Sequence, residues 1–153
     1  MQLGPDIVER LNRARADLRM GVPVVLTAGG NAVLALAAEA LVPARFAALS
    51  ALGPALIAIT SRRAETLKAR AYDGDIARLI VPGDATPAWV TAIADPADDL
   101  RSPMKGPFLS ARDGDATLAR AAIQLTKSAR LLPAALLVPL PDPAGIAAAE
   151  GLT

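Results

Sequence analysis

Apolar positions change their spacing repeatedly along this chain, and each change marks a predicted element. Ile7, Leu11, Ala14 and Leu18 recur at helical intervals, and Asp6 followed by Glu9 forms a capping-box pattern at the start of that stretch. Gly21 closes the helix. Val22 to Thr27 is apolar and rich in β-branched side chains, Gly29-Gly30-Asn31 tolerates positive φ, and Ala32 to Ala38 is apolar again. The pattern predicts a strand, a tight turn and a second strand, although alanine and leucine in the second also suit a helix.

Pro43 opens a predicted helix to Leu52, Gly53-Pro54 breaks it, and Leu56 to Thr60 reads as a short buried strand. Ser61 caps a further predicted helix to Arg70. Ile76 to Val81 is a strand, Pro82-Gly83 a turn, and Thr86-Pro87 places an N-cap and an N1 proline before a helix through Ala94. Asp95 to Gly106 is polar, contains Pro96 and Pro103, and reads as a loop. Phe108 to Ala111 fits a short strand before the Asp113-Gly114-Asp115 turn. Leu118, Ala122, Leu125, Ala129 and Leu132 then form the most regular apolar stripe in the chain, predicting a helix. Leu136 to Leu140 is a strand bounded by prolines, and Asp142-Pro143 caps a last helix to Glu150. Helices alternating with short strands predict an α/β class, a single domain over residues 1–153 with a mixed β-sheet and flanking helices.

Composition narrows the chemistry. Hydrophobic residues are 53% of the chain and aromatics only 3%, so the core is built from Ala, Leu, Val and Ile. Lys and Arg number 16 against 15 Asp and Glu, a balance that argues against a nucleic-acid partner. Pro54, and later Pro133, Pro139 and Pro141, interrupt the two most apolar stretches before they reach the roughly 20 residues of a membrane span. No membrane association is expected. The start, Met1-Gln2-Leu3-Gly4-Pro5-Asp6, lacks the basic and apolar run of a signal peptide, and a cytoplasmic location is the expectation. The chain has no histidine and no cysteine. Those side chains dominate zinc binding and near-neutral proton transfer, so Ser/His/Asp, Cys/His and zinc-hydrolase sites are excluded within these residues.

The order of these features resembles one family. The opening helix, Gly21-Val22-Pro23-Val24-Val25, the run ending Ala37-Ala38-Glu39, and Leu56 to Ile59 followed by Arg63-Ala64-Glu65-Thr66-Leu67 are similar to the start of 3,4-dihydroxy-2-butanone 4-phosphate synthase. Ala92-Ile93-Ala94-Asp95-Pro96, Arg101-Ser102-Pro103 and Phe108-Leu109 resemble the stretch leading to its "RPGHVFPL" segment. Ala122-Ile123-Gln124-Leu125, Ala129 to Ala135 and Glu150-Gly151-Leu152 resemble its closing run. The resemblance implies a shortened version of that fold and a link to riboflavin biosynthesis. It also implies conversion of ribulose 5-phosphate to formate and a four-carbon phosphate, on magnesium held by an acidic loop and by a histidine in a "GHTEA" motif.

This chain departs from the family at those positions. Thr27-Ala28-Gly29-Gly30-Asn31 replaces the acidic loop, "GHTEA" falls on Thr117-Leu118-Ala119-Arg120-Ala121, and "GHVF" falls on Met104-Lys105-Gly106-Pro107. The family's "TGISAxDR" loop is missing between Val81 and Trp89. A hard divalent cation needs oxygen ligands that these positions do not supply. The expectation is a degenerate, non-catalytic domain without catalytic residues or cofactor, truncated before the family's last strand and helix or before a downstream domain. The resemblance implies a place at the N-terminus of a bacterial GTP cyclohydrolase II protein, with zinc expected only in the downstream domain. The expected partners are a second copy in a homodimer or a covalently linked cyclohydrolase domain.

Two other functions stay open at this stage. One is a residual magnesium-dependent lyase with a relocated site at Asp113 and Asp115, which flank Gly114 and are the best remaining metal candidates. The other is a module that senses a flavin or nucleotide. Against the first stands a plainer reading of Asp113-Gly114-Asp115 as a solvated turn, with Asp115 capping the next helix. Asp73-Gly74-Asp75 and Asp98-Asp99 read the same way. Gly29-Gly30-Asn31 reads as a hairpin turn rather than a phosphate cradle. Arg10, Arg13, Arg15, Arg19, Arg62, Arg63, Lys127 and Arg130 read as solvated helix faces, and Trp89, Phe46, Phe108 and Tyr72 as packing residues.

Overall fold

The computed structural model describes residues 3–99, 108–112, 114–142 and 144–145. Helix α1 spans Ile7–Arg19 and starts on the expected capping box, with the Glu9 N–H donating to Asp6 Oδ1 at 2.8 Å and the Asp6 N–H donating to Glu9 Oε1 at 3.2 Å. Strands β1 (Val24–Ala28) and β2 (Asn31–Ala37) follow, joined by Gly29 and Gly30 at φ 54° and 81°. Two positive φ values in a two-residue loop are the hairpin geometry whose twist matches the strands. The strand alternative for residues 32–38 therefore prevails over the helical one.

Helix α2 (Pro43–Leu52), β3 (Leu56–Thr60) and α3 (Ser61–Leu67) come next, then β4 (Ile76–Ile80), α4 (Pro87–Ala94) and a short 3₁₀ turn at Pro96–Asp98. Thr60 rather than Ser61 caps α3, accepting from the Arg63 N–H at 3.1 Å. That helix stops before Arg70 because Lys68 turns left-handed at φ 60°. Helix α5 covers Thr117–Ser128 and β5 covers Ala134–Pro139. Residues 108–111 form less than a strand: one bridge joins Ser110 to Leu79 on the outer edge of β4. The Asp142 carboxylate accepts from the Gly145 N–H at 3.1 Å, as a cap would, while the predicted helix end at Glu150 lies outside the described residues.

The five strands form one sheet in the order β1-β2-β5-β3-β4. Helices flank it, as the α/β class requires, but every described pair is antiparallel, where a mixed sheet was expected. The helical crossover through α2 does leave β2 and β3 running the same way. β5 then inserts between them, antiparallel to both, with Leu36 and Ile57 each opposite Leu136.

Both faces of the sheet are covered, which is why its strands read as continuous apolar runs. Leu34, Leu36, Ile57, Ile59, Leu79 and Leu136 pack on one face beneath α2, α3 and α4. The other face presents Ala35, Ala37, Ala58 and Ala135, and their small side chains let α5 and α1 approach through Ala119, Ala122, Ile123 and Leu18. Phe46 belongs to the first core, and Trp89 meets Phe108 with ring centroids 6.3 Å apart. No helix among the described residues is long and apolar enough to cross a membrane.

Candidate functional site

A cavity of about 650 Å³ opens at one end of the sheet, between the β1–β2 turn, the end of β5 and the start of α5. Gly30, Asn31, Arg78, Asp115, Thr117 and Leu118 are among its lining residues. Its volume falls within the range of small-molecule sites. The fold thus brings together the two segments that the resemblance marks as altered: the hairpin that replaces the acidic loop, and the helix start that replaces "GHTEA".

Asp115 is the candidate residue that the structure places on this cavity. Its Oδ1 accepts from the Thr117 N–H at 2.8 Å and from the Thr117 hydroxyl. It acts one residue before the N-cap position, which Ala116 occupies. The Thr117 hydroxyl, then its N–H, and then the charges of Arg120 and Arg78 hold the Asp115 carboxyl below its ordinary value. Its companion candidate Asp113 lies outside the described residues, as do Met104-Lys105-Gly106-Pro107.

The neighbouring carboxylates are engaged by arginines. Arg78, in the middle of β4, makes a forked pair with Asp73 at 2.9 and 3.2 Å, the two side chains being only 7% and 10% exposed. Gly114, at φ 87°, lies beside Arg78, where a Cβ would make an ordinary contact of 3.6 Å with Nη1. Arg120 donates to Asp75 Oδ1 and to the Asp73 carbonyl, each at 2.9 Å. The Asp73-Gly74-Asp75 loop is thereby pinned to both β4 and α5.

A smaller cavity of about 280 Å³ lies elsewhere, lined by Thr60, Arg62, Arg63, Thr66, Asp99 and Pro133 among others. Arg63 is not on a solvated face there, contrary to the sequence reading. Its guanidinium donates to the Ile93 carbonyl at 2.7 Å, to the Ala92 carbonyl at 3.0 Å, and to both Asp99 oxygens at 2.6 and 2.9 Å. Arg15 and Arg19 stay at the surface, as expected, but donate to Ser128 Oγ and the Ala129 carbonyl and so tie α1 to the end of α5. Sequence reasoning missed Arg78 as well, although an arginine inside the apolar run Ile76-Ala77-Arg78-Leu79-Ile80 is itself a signal. A charge there must be buried, and a buried charge needs a partner.

Among the described residues no three histidine, cysteine, aspartate or glutamate side chains stand together where they could hold a metal ion. Among the described residues the cavity offers one carboxylate, already bonded to a helix start, together with the Asn31 amide. That donor set does not fit magnesium, which binds through carboxylates and several waters in near-octahedral geometry.

The architecture places the chain in the structural class of 3,4-dihydroxy-2-butanone 4-phosphate synthase. A cation-free structure of that enzyme superposes with a TM-score of 0.69 at 15% identity, covering 94% of this chain and 90% of its own. The Candida albicans enzyme superposes with a TM-score of 0.66 at 16% identity, covering 94% and 91%. In sequence, the chain is 32% identical over 142 residues to GTP cyclohydrolase-2 of Azospirillum brasilense. That similarity takes in 90% of this chain but only 37% of the length of the relative. No family model matches the chain. The chain therefore has the fold of 3,4-dihydroxy-2-butanone 4-phosphate synthase and is similar in sequence to one part of a GTP cyclohydrolase-2.

Proposed function

We propose that this chain is a non-catalytic form of the dihydroxybutanone phosphate synthase domain, belonging to a GTP cyclohydrolase II-type protein of riboflavin biosynthesis. Its role is structural: folding support, interdomain contact or dimerisation, in the cytoplasm. The observation that carries this reading is the cavity wall. Gly30, Asn31 and Leu118 line it where the resemblance requires an acidic loop and a histidine. Arg120, at the position of the motif glutamate, is occupied in tying down Asp75. The domain itself then needs no cofactor, and any zinc belongs to the cyclohydrolase region of such a protein.

Incubating the purified chain with ribulose 5-phosphate and magnesium tests the proposal. Formate should not rise above the protein-free background. Formation of formate above it would overturn the reading, and abolition of that turnover by Asp115→Ala would assign it to a relocated carboxylate site.

A further inference from the structure

The larger cavity joins an apolar wall to a polar rim. Val33, Leu56, Leu118 and Leu137 line it from β2, β3, α5 and β5, and its surface is mainly apolar. A concave apolar wall with a few placed polar groups is the composition of a small-molecule site.

The rim decides what head group such a molecule carries. Arg78 lines the cavity, but its guanidinium fork is taken by Asp73, and both side chains are largely buried. The Thr117 hydroxyl is directed at Asp115 Oδ1. Two exposed groups on the cavity are left to a ligand: Asp115 Oδ2 and the Asn31 amide, neither of which meets a partner within the chain. Because Asp73 balances Arg78, Asp115 leaves the described lining with an excess of negative charge. A phosphate or carboxylate would meet that charge with no unengaged cation of the described lining to offset it. An ammonium would be attracted by it and would find acceptors in Oδ2 and in the Asn31 amide oxygen.

We propose that this cavity binds a small organic cation, its apolar body against Leu118 and Leu137 and its ammonium donating to Asp115 and Asn31. The binding activity goes beyond the structural role above and involves no turnover, so it is read without formate release and the two proposals can fail separately.

Phenethylamine, phenethyl alcohol and phenylacetate share one apolar body and differ in head charge. Each is titrated into the isotope-labelled chain while its backbone amide resonances are followed. The amine should move Asn31, Thr117 and Leu118 saturably and bind about threefold or more tightly than the alcohol, with phenylacetate weakest. Asp115→Asn, which keeps an oxygen to receive the Thr117 N–H, should bring the amine to the level of the alcohol. Ala28→Leu, filling the cavity from β1, should weaken amine and alcohol alike, whereas Asp84→Asn, away from the cavity, should change neither; circular dichroism checks that each variant folds. No saturable shift with the amine, shifts confined to residues away from the cavity, equal affinity for the three heads, or an amine preference that survives Asp115→Asn would overturn the proposal.

Discussion

Arg63→Ala should be among the most damaging single changes outside the apolar core. The guanidinium closes the carboxyl end of α4 by donating to Ala92 and Ile93 carbonyls, and it pairs with both oxygens of Asp99. The two side chains are 12% and 25% exposed, so water reaches the pair only in part. Removing one partner of a well-buried pair costs about 3–5 kcal/mol, chiefly because the other charge stays desolvated. The remaining exposure of Asp99 sets the expectation at the lower end, about 3 kcal/mol. For a chain of this size that corresponds to a drop of about 6–12 °C in the melting midpoint. Urea unfolding followed by circular dichroism measures the loss directly. Arg63→Lys should recover less than half of it, since an ammonium cannot reach the carbonyls and both carboxylate oxygens at once. Arg120→Ala provides the comparison: its pair with Asp75 is 42% and 64% exposed, and the loss should stay below about 1 kcal/mol. Equal losses for the two variants, or full rescue by lysine, would refute the argument from burial and fork geometry.

Gly21→Ala should cost about 3 kcal/mol in the same denaturation assay, because φ is 76° and the new Cβ would meet the Ala40 carbonyl oxygen at 2.5 Å. Gly30→Ala, at φ 81° with nothing within 4 Å, should cost only about 1 kcal/mol, so equal values would show that the clash does not matter. Asp115, held below its ordinary carboxylate value by Thr117, stabilises the fold when ionised. Its contribution is complete above the unfolded-state value near about pH 3.9 and disappears as pH falls through the lower folded-state value. The stability gap between the wild type and Asp115→Asn should therefore be constant near neutrality and close in acid, and a gap that persists at the lowest pH would remove this assignment. Magnesium should leave the melting midpoint where EDTA leaves it, since a ligand that binds only the folded state raises stability with its concentration. A midpoint that climbs with magnesium would reveal a cation site.

Much of the fold was legible because local chemistry and tertiary packing agree. The capping box at Asp6 and Glu9, the proline at N1 of α2 and of α4, and the paired glycines of the hairpin each fix a boundary within a few residues of themselves. Sheet order was not legible in that way. The insertion of β5 between β2 and β3 is a long-range choice, and no turn residue encodes it. The same limit hid the arginines: Arg63 and Asp99 are 36 residues apart, and Arg120 and Asp75 are 45 apart. A helix-face reading sees only neighbours three or four positions away. At the cavity, Asp115 was legible as a helix-start residue, while its place beside the hairpin and Arg78 followed only from the fold.

The polar groups around the cavity form a pattern opposed to that of a metal centre. Carboxylates gathered for a cation repel one another until it binds, and their ionisation is disfavoured in its absence. Here each described carboxylate has its own compensation: Asp73 has Arg78, Asp75 has Arg120, and Asp115 has the hydroxyl and N–H of Thr117. The consequence is mechanical as well as electrostatic. Arg78 and Arg120 belong to β4 and α5, so the loop between Asp73 and Asp75 is clamped to the sheet and to the helix above it. A site that holds itself in place with fixed side-chain charges does not need a ligand to become rigid. That pairing of each carboxylate supports the non-catalytic reading proposed above, since it leaves no cluster of free carboxylates among the described residues for a divalent cation to bind.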